Sequence, residues 1–247
     1  MSAFRALLAM HLRLYLREPM GAFFTLVFPP AILVLFGVIY GNDPSPLFGG
    51  RGTIDVMVPA YLAMVVGTVG FFSVPVGTGS MREKGILRRF WATPLRPGTY
   101  LAADVTSDFL MTLAGVVLLI IVGRLVFDMR FDGVWWSAAA GFLLSAGAFL
   151  ALGYLLASLA SSSRTAMIAG MTLFYPMLFL SGATIPLEVM PARVQAWAAY
   201  LPLHYVVRLM RALWAGGRWS DQVLSVAVLA GILVVSTAVS ARFFRWE

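Results

Sequence analysis

Between Gly133 and Leu187 one charged residue, Arg164, interrupts 55 residues. No other feature constrains the chain as much. A helix crossing a hydrocarbon core of about 30 Å uses about 20 apolar residues, so a single span cannot consume this run. The chain must turn inside it, and the polar stretch Ser161, Ser162, Ser163, Arg164 is the place. Two spans result, over 134–160 and 165–187.

The same criterion gives four more spans, 21–40, 57–80, 103–127 and 223–241. Pro29 and Pro30 fall in the middle of the first and predict a kink, because proline lacks the N–H that an interior helical position donates. The third is free of charge only from Phe109 to Gly123, so its opening turns carry Asp104 and Asp108 near the interface. These acids share a face at i, i+4 and read either as a proton relay or as acids favoured by the positive end of the helix dipole. With 60% hydrophobic and 12% charged residues, against about 25% charged in soluble domains, the chain belongs in a bilayer. The expectation is an all-α membrane protein, with one transmembrane domain over 1–247 and six spans.

Six spans put both termini on one side, and the excess of Lys and Arg in cytoplasmic segments decides which. A cytoplasmic N-terminus places Arg5, Arg13, Arg17, Arg82, Lys84, Arg88, Arg89, Arg96, Arg164, Arg242 and Arg245 inside. Outside are Arg51, Arg124, Arg130 and the Arg193, Arg208, Arg211 and Arg218 of the long last loop. The net charge of +7 has this topological origin, and nucleic acid is not an expected partner. The first eighteen residues form an amphipathic pattern. Phe4, Leu7, Leu8, His11, Leu12, Leu14 and Tyr15 fall within about 160° of a helical wheel, opposite Arg5, Arg13 and Arg17. That is an interfacial helix rather than a signal peptide, since the next apolar run is too long and ends in IYGND without a small-residue cleavage site.

One short cytoplasmic segment, MREKGILRRFWATPL at 81–95, concentrates Arg82, Glu83, Lys84, Arg88 and Arg89. In a helix started near Met81, Ile86, Leu87, Phe90 and Trp91 share a face and the charges remain free to meet something polar. Such a helix lies along the membrane, either resting on lipid headgroups or docking a cytoplasmic partner. On the other side, residues 188–221 are broken by Pro191 and Pro202 and carry Trp197, Tyr200, Tyr205, Trp214 and Trp219, aromatics that favour an interface. After Pro202 the residues Leu203, Val206, Val207, Met210, Leu213 and Trp214 keep helical spacing, with Arg208 and Arg211 together on another side. This segment reads as interfacial helices capping the bundle or as a re-entrant outer gate.

Catalytic and metal chemistry have little to work with. There is no cysteine, and His11 and His204 are the only histidines, one near each side of the membrane, so neither a metal site nor a catalytic residue is assigned. Lys84, the only lysine, is flanked by Glu83 and Gly85 and is not part of a Gly-Lys-Ser/Thr phosphate loop, so the chain cannot supply its own ATPase. Phe71 and Phe72, with Phe174 and Tyr175, could line an apolar path or serve as packing.

The stretch REKGILRRFWATPL resembles the coupling helix of the ABC-2 type exporter membrane subunits, in which a cluster of acidic and basic residues, a glycine and a terminal Ala-Thr-Pro recur. FLSGATIPLEVMPARVQAWAAYLPLHYVVRLMRALW, at 179–214, resembles the family's second signature: Ser181-Gly182, Pro186, Met190-Pro191, then Pro202 opening an aromatic and basic helix with Tyr205 and Arg208. The likeness extends to span number, loop order and the N-terminal helix, and is greatest to small drug and antibiotic export permeases, since the first outer loop is short.

The resemblance implies a non-enzymatic permease of an ATP-driven exporter, forming the path for an amphiphilic drug, antibiotic or lipid-like substrate. It implies that a separate ABC ATPase subunit, the user of ATP and magnesium, docks on Arg82, Glu83, Lys84, Gly85, Arg88, Arg89, Phe90, Trp91 and Pro94. No cofactor is expected on this chain. Ser181, Gly182, Pro186, Met190, Pro191, Pro202, Tyr205 and Arg208 would form the outer gate. A second permease chain, identical or paralogous, surrounding lipid, a bacterial plasma membrane and cytoplasmic termini are implied too. Alternatives are a permease for a glycan or lipid-linked glycan, and an ion-coupled secondary transporter. The latter needs ionisable groups near the midplane, where only Asp104 and Asp108 come into question.

Overall fold

The computed structural model describes residues 3–86 and 97–243. Among them every regular element is helical, and the one extended pairing is an isolated bridge between Ser45 and Arg51. The α-helices are α1 (Ala3–Arg17), α2 (Pro19–Ala22), α3 (Phe28–Tyr40), α4 (Thr53–Thr68), α5 (Val74–Glu83), α6 (Pro97–Phe127), α7 (Trp135–Leu159), α8 (Ser163–Leu180), α9 (Ala192–Ala198), α10 (Pro202–Trp214) and α11 (Val223–Phe243). Two π-helical turns, Phe23–Val27 and Val69–Ser73, join α2 to α3 and α4 to α5 without a break.

Among the described residues, five continuous helices are long and apolar enough to cross a membrane: Phe23–Tyr40, Thr53–Glu83, Gly98–Phe127, Trp135–Leu159 and Trp219–Phe243. The protein is an all-α membrane protein. α8 falls outside this set because it opens on Arg164, contains Pro176 and stops at Leu180. Residues 181–185 bend where helix was expected to continue to 187. The turn inside the long uncharged run lies at 160–162, where Ser162 caps α8 by accepting a hydrogen bond from the Thr165 N–H.

The two prolines of the first span do not simply kink it. A π-turn closes just before them, with the Phe28 N–H bonded to the Phe23 carbonyl, and Pro29 and Pro30 then occupy the first turn of α3. Pro75 stands in the same relation to the second π-turn, whose closing bond runs from the Val74 N–H to the Val69 carbonyl. The wider turn gives the ring room against the preceding carbonyls, the clash that otherwise breaks a helix.

Thr53–Glu83 is the central helix, with 89% of its most apolar window buried by protein. α4 packs on α3, α6 and α10, α5 packs on α7 and α8, and α11 lies along α7. α1 lies along α6, burying Leu7 and His11 against Tyr100 and Ala103 while Arg5, Arg13 and Arg17 stay exposed. α6 begins at Pro97, so Asp104 and Asp108 lie beyond its first turn. Stabilisation by the helix dipole, which fades within one turn, therefore does not account for them.

Candidate functional site

α5 finishes at Glu83, and Gly85 adopts φ +65° two residues later. A helix started at Met81 is thereby corrected: Met81–Glu83 are the last turn of the second span, and a backbone conformation that favours glycine ends it. Nor are all the charges free. Arg82 Nη1 donates to the Ala157 and Ala160 carbonyls at 3.3 and 2.9 Å, at the C-terminus of α7. Glu83 accepts from the Ser163 N–H at 3.0 Å and the Ser163 hydroxyl at 2.7 Å, at the N-terminus of α8. Each charge meets the helix end of opposite sign and fills groups left unpaired there. Lys84 is exposed. Arg88, Arg89, Phe90, Trp91 and Pro94 lie outside the described residues.

Above this brace, the second π-turn is held by close backbone contact. A Cβ on Gly153 of α7 would meet the Gly70 carbonyl, and one on Gly170 of α8 would meet the Phe71 carbonyl. Small residues at such crossings let helices approach closely in a membrane. The π-turn sends Phe71 and Phe72 to different fates. Phe71 is core, 2% exposed, against Phe149 and Phe174. Phe72 meets Phe174 edge-on at 5.4 Å and Tyr175 at 6.2 Å, and these three help line an apolar slot of about 190 Å³. Phe24, Phe28, Met64, Met167 and Met171 complete much of its wall, to which Glu18 adds a carboxylate. Aromatic faces with adaptable methionines suit varied apolar ligands.

Beside the slot is a polar cavity of about 60 Å³, sharing Glu18 and Ser73 with it. His11 Nδ1 lies 3.1 Å from Asp104 Oδ1, and the Tyr154 hydroxyl contacts Asp104 Oδ2 at 2.9 Å and Asp108 Oδ2 at 3.3 Å. The Tyr15 hydroxyl shares hydrogen bonds with Thr25 and Ser73, both at 2.8 Å, tying α1 to both π-turns. Burial pushes the Tyr15 phenol up and keeps it protonated. Sequence reasoning placed His11 and Tyr15 on an apolar face and passed over Glu18. Their spacing, i, i+4 and i+7, was the available signal for one shared polar face.

Beyond the end of α8, Gly182 turns the chain with φ +86°, Ser181 is buried, and the His204 ring nitrogen lies 3.4 Å from the Ser181 carbonyl. Pro186 and Pro191 flank the short turn Leu187–Val189, which Met190 closes with its N–H on the Leu187 carbonyl. Pro202 opens α10, and the Tyr205 hydroxyl donates to the Ala199 carbonyl at 2.7 Å. All six apolar residues expected on one face of α10 are buried, with Leu209 in addition. Arg211 pairs with Glu188 through two bonds of 2.7 and 3.2 Å. Glu188, Arg208 and Arg211 all line a vestibule of about 530 Å³, where Arg208 is exposed.

The profile of the family described as ABC-2 type transporter matches residues 2–214. The chain is 28% identical over 223 residues to the daunorubicin resistance ABC transporter permease protein of Streptomyces coeruleorubidus, covering 86% of this chain and 78% of the relative. It is 22% identical over 232 residues to a probable doxorubicin resistance ABC transporter permease protein of Mycobacterium tuberculosis, covering 89% and 80%. Nodulation protein J of Rhizobium leguminosarum bv. viciae is 35% identical over 98 residues, 40% of this chain and 38% of the relative. With most of its length matched, and with helices that cross a membrane, the chain belongs to the ABC-2 type transporter family.

Proposed function

We propose that this chain is the membrane subunit of an ATP-driven exporter of amphiphilic drugs or antibiotics, and that the slot beside Phe72 is where substrate is held. The slot carries this reading: it is walled by aromatic and methionine side chains, lies among helices long and apolar enough to cross the bilayer, and has the Glu18 carboxylate in its lining. The drug-resistance permeases to which the chain is similar over most of its length favour it over a glycan permease or an ion-coupled carrier.

In this reading a separate ABC ATPase hydrolyses ATP with magnesium and docks at the cytoplasmic end, through Lys84 and the segment beyond it. α8 serves as a sixth span, both termini face the cytoplasm of a bacterial cell, and a second permease chain, identical or paralogous, completes the path. Arg82 and Glu83 act as the brace that passes motion at that end to α7 and α8, rather than as free docking charges. The outer segment from Ser181 to Arg208 serves as the gate.

The test is copurification with the cognate ATPase, then ATP hydrolysis in lipid with and without an amphiphilic drug. Drug-stimulated hydrolysis by the complex, none by the permease alone, and reduced stimulation in Phe72→Ala are expected. Full stimulation in Phe72→Ala would remove the slot from the path.

A further inference from the structure

We infer that the vestibule lined by Arg51, Arg208 and Arg211 is a binding site for a phosphate group, with Arg208 as its main contact. The site shares no lining residue with the slot and depends on neither the slot nor a gate motion.

Three observations converge. First, guanidinium groups are ranked along one side of α10. His204, Arg208 and Arg211 recur at i, i+4 and i+7 and all line the vestibule. Arg51, from the chain before α4, donates to the Ala215 carbonyl at 3.1 Å, one turn beyond Arg211. Second, the vestibule has the size and mixed walls of a ligand site. Its volume of about 530 Å³ falls within the roughly 300–1,000 Å³ of small-molecule pockets, and Phe48, Val56, Leu187 and Val207 give it an apolar side. Trp197 and Tyr200, shortly before α10, are exposed aromatics of the kind that favour the level of lipid headgroups.

The third observation concerns charge and donors. The lining holds Arg51, Arg208 and Arg211 against two carboxylates, Asp55 and Glu188, and both acids are already engaged. Asp55 is buried and accepts from the Gly52 and Arg130 N–H groups and from Asn42. Glu188 is paired with Arg211, and Arg51 lies 3.5 Å from Asp132. Arg208 has no hydrogen bond or ion pair among the described residues, so it is the cation of the vestibule that lacks a counterion. His204 adds no charge: burial pulls its pKa below the ordinary value, and the Arg208 charge adds to this against the Ser181 hydrogen bond. A guanidinium carries five N–H donors and no acceptor, so donors remain on Arg208 and, beyond those given to Glu188, on Arg211. Helix residues at i, i+3 have Cβ atoms about 5–6 Å apart, which lets both forks reach one group. A planar carboxylate is filled by one fork, whereas the tetrahedral oxygens of a phosphate accept from two that approach in different directions.

The test uses the full-length chain in dodecyl maltoside, a detergent without phosphate, titrated calorimetrically with inorganic phosphate, with dioctanoylphosphatidylglycerol and with the phosphate-free dioctanoylglycerol, protein-free micelles being subtracted. Phosphatidylglycerol should bind about tenfold more tightly than dioctanoylglycerol. Arg208→Gln should bring that ratio to within about twofold, and because Arg208 is exposed its loss leaves the buried face of α10 intact. Arg193→Gln, at an exposed arginine outside the vestibule, should keep the full ratio. Glu188→Gln releases Arg211 and should tighten phosphatidylglycerol about threefold, a gain that damage to the fold does not produce. Inorganic phosphate that binds with the same dependence on Arg208 makes the free ion a ligand, and binding by the lipid alone confines the site to headgroups; either result supports a phosphate site. Equal binding of the two lipids, a preference that survives Arg208→Gln, or weaker binding in Glu188→Gln overturns it. Each of these outcomes leaves the drug-stimulated ATP hydrolysis and its dependence on Phe72 to be decided separately.

Discussion

Glu83 is the residue at which bracing and docking make different demands. Its carboxylate accepts two bonds from Ser163, at 3.0 and 2.7 Å. Hydrogen bonds to a charged group contribute about 1.5–3 kcal/mol each when shielded, and an anion at a helix N-terminus contributes about 0.3–1 kcal/mol more. Glu83 is exposed, so solvent reduces both contributions. Gln keeps one acceptor oxygen and loses the charge, which leaves about 1 kcal/mol for Glu83→Gln. Glu83→Arg puts a cation against the same N–H and loses both bonds, for about 2 kcal/mol. Unfolding by SDS in mixed micelles would measure these values, with the exposed Lys84→Gln as a control expected within about 0.5 kcal/mol of the wild type. Ser163→Ala removes one of the two bonds, so a cycle with Glu83→Gln should show coupling of about 0.5–1 kcal/mol. Strict additivity, or a Glu83→Gln as neutral as Lys84→Gln, would refute the brace and return Glu83 to the docking surface.

Gly170→Ala should destabilise by about 1–3 kcal/mol, since its Cβ meets the Phe71 carbonyl and backbone cannot rotate away; Gly231→Ala, with open space around it, should be neutral or slightly stabilising, and equal effects in the same micelle assay would contradict the packing. For Glu188, burial raises the carboxyl pKa, but hydrogen bonding to Arg211 and its charge outweigh that and hold it below the usual 4.5. A depressed folded pKa gives stability that is present above the unfolded value and lost as pH falls through the folded one. Thermal melts should therefore show a wild-type advantage over Glu188→Gln at about pH 6 that disappears in acid below the ordinary carboxylate range, and a pH-independent difference would contradict the pairing. Ser45→Cys and Ala192→Cys should react with an impermeant thiol reagent applied to intact cells, and Ser162→Cys should not; the inverse pattern would reverse the orientation.

Element type and position were legible because the signals are additive along a helix. The run at 133–187, with Arg164 as its one charge, and its Ser-rich centre located α7, the start of α8 and the turn between them to within two residues, but overshot the end of α8, which stops at Leu180. The period of Leu203, Val206, Met210 and Leu213 gave the buried face of α10. What escaped were features made by two distant segments. Asp104 and Asp108 announce a pair at i, i+4, but nothing local says that His11 and Tyr154 meet them. Arg82 and Glu83 look like loop charges until α7 and α8 bring Ala160 and Ser163 to them. The π-turns are a third case: Pro29, Pro30 and Pro75 signal trouble for a regular helix, without saying that a widened turn resolves it.

The Arg82–Glu83 brace, one wall of the slot and the Asp55 anchor all sit on one continuous helix, Thr53–Glu83. At its N-terminal end Asp55 accepts from the Gly52 and Arg130 N–H groups and from Asn42, whose amide also donates to the Phe127 carbonyl, so the start of the helix is fixed to the end of α6. At its C-terminal end Arg82 and Glu83 fix it to α7 and α8. Between these ends the π-turn Val69–Ser73 interrupts the α-helical winding, and such turns collect at functional sites. Phe72 and Ser73 lie within it, the first on the slot wall and the second between slot and polar cavity. The groups that line the slot and the polar cavity thus stand between the Arg82–Glu83 brace and the Asp55 anchor on one continuous helix.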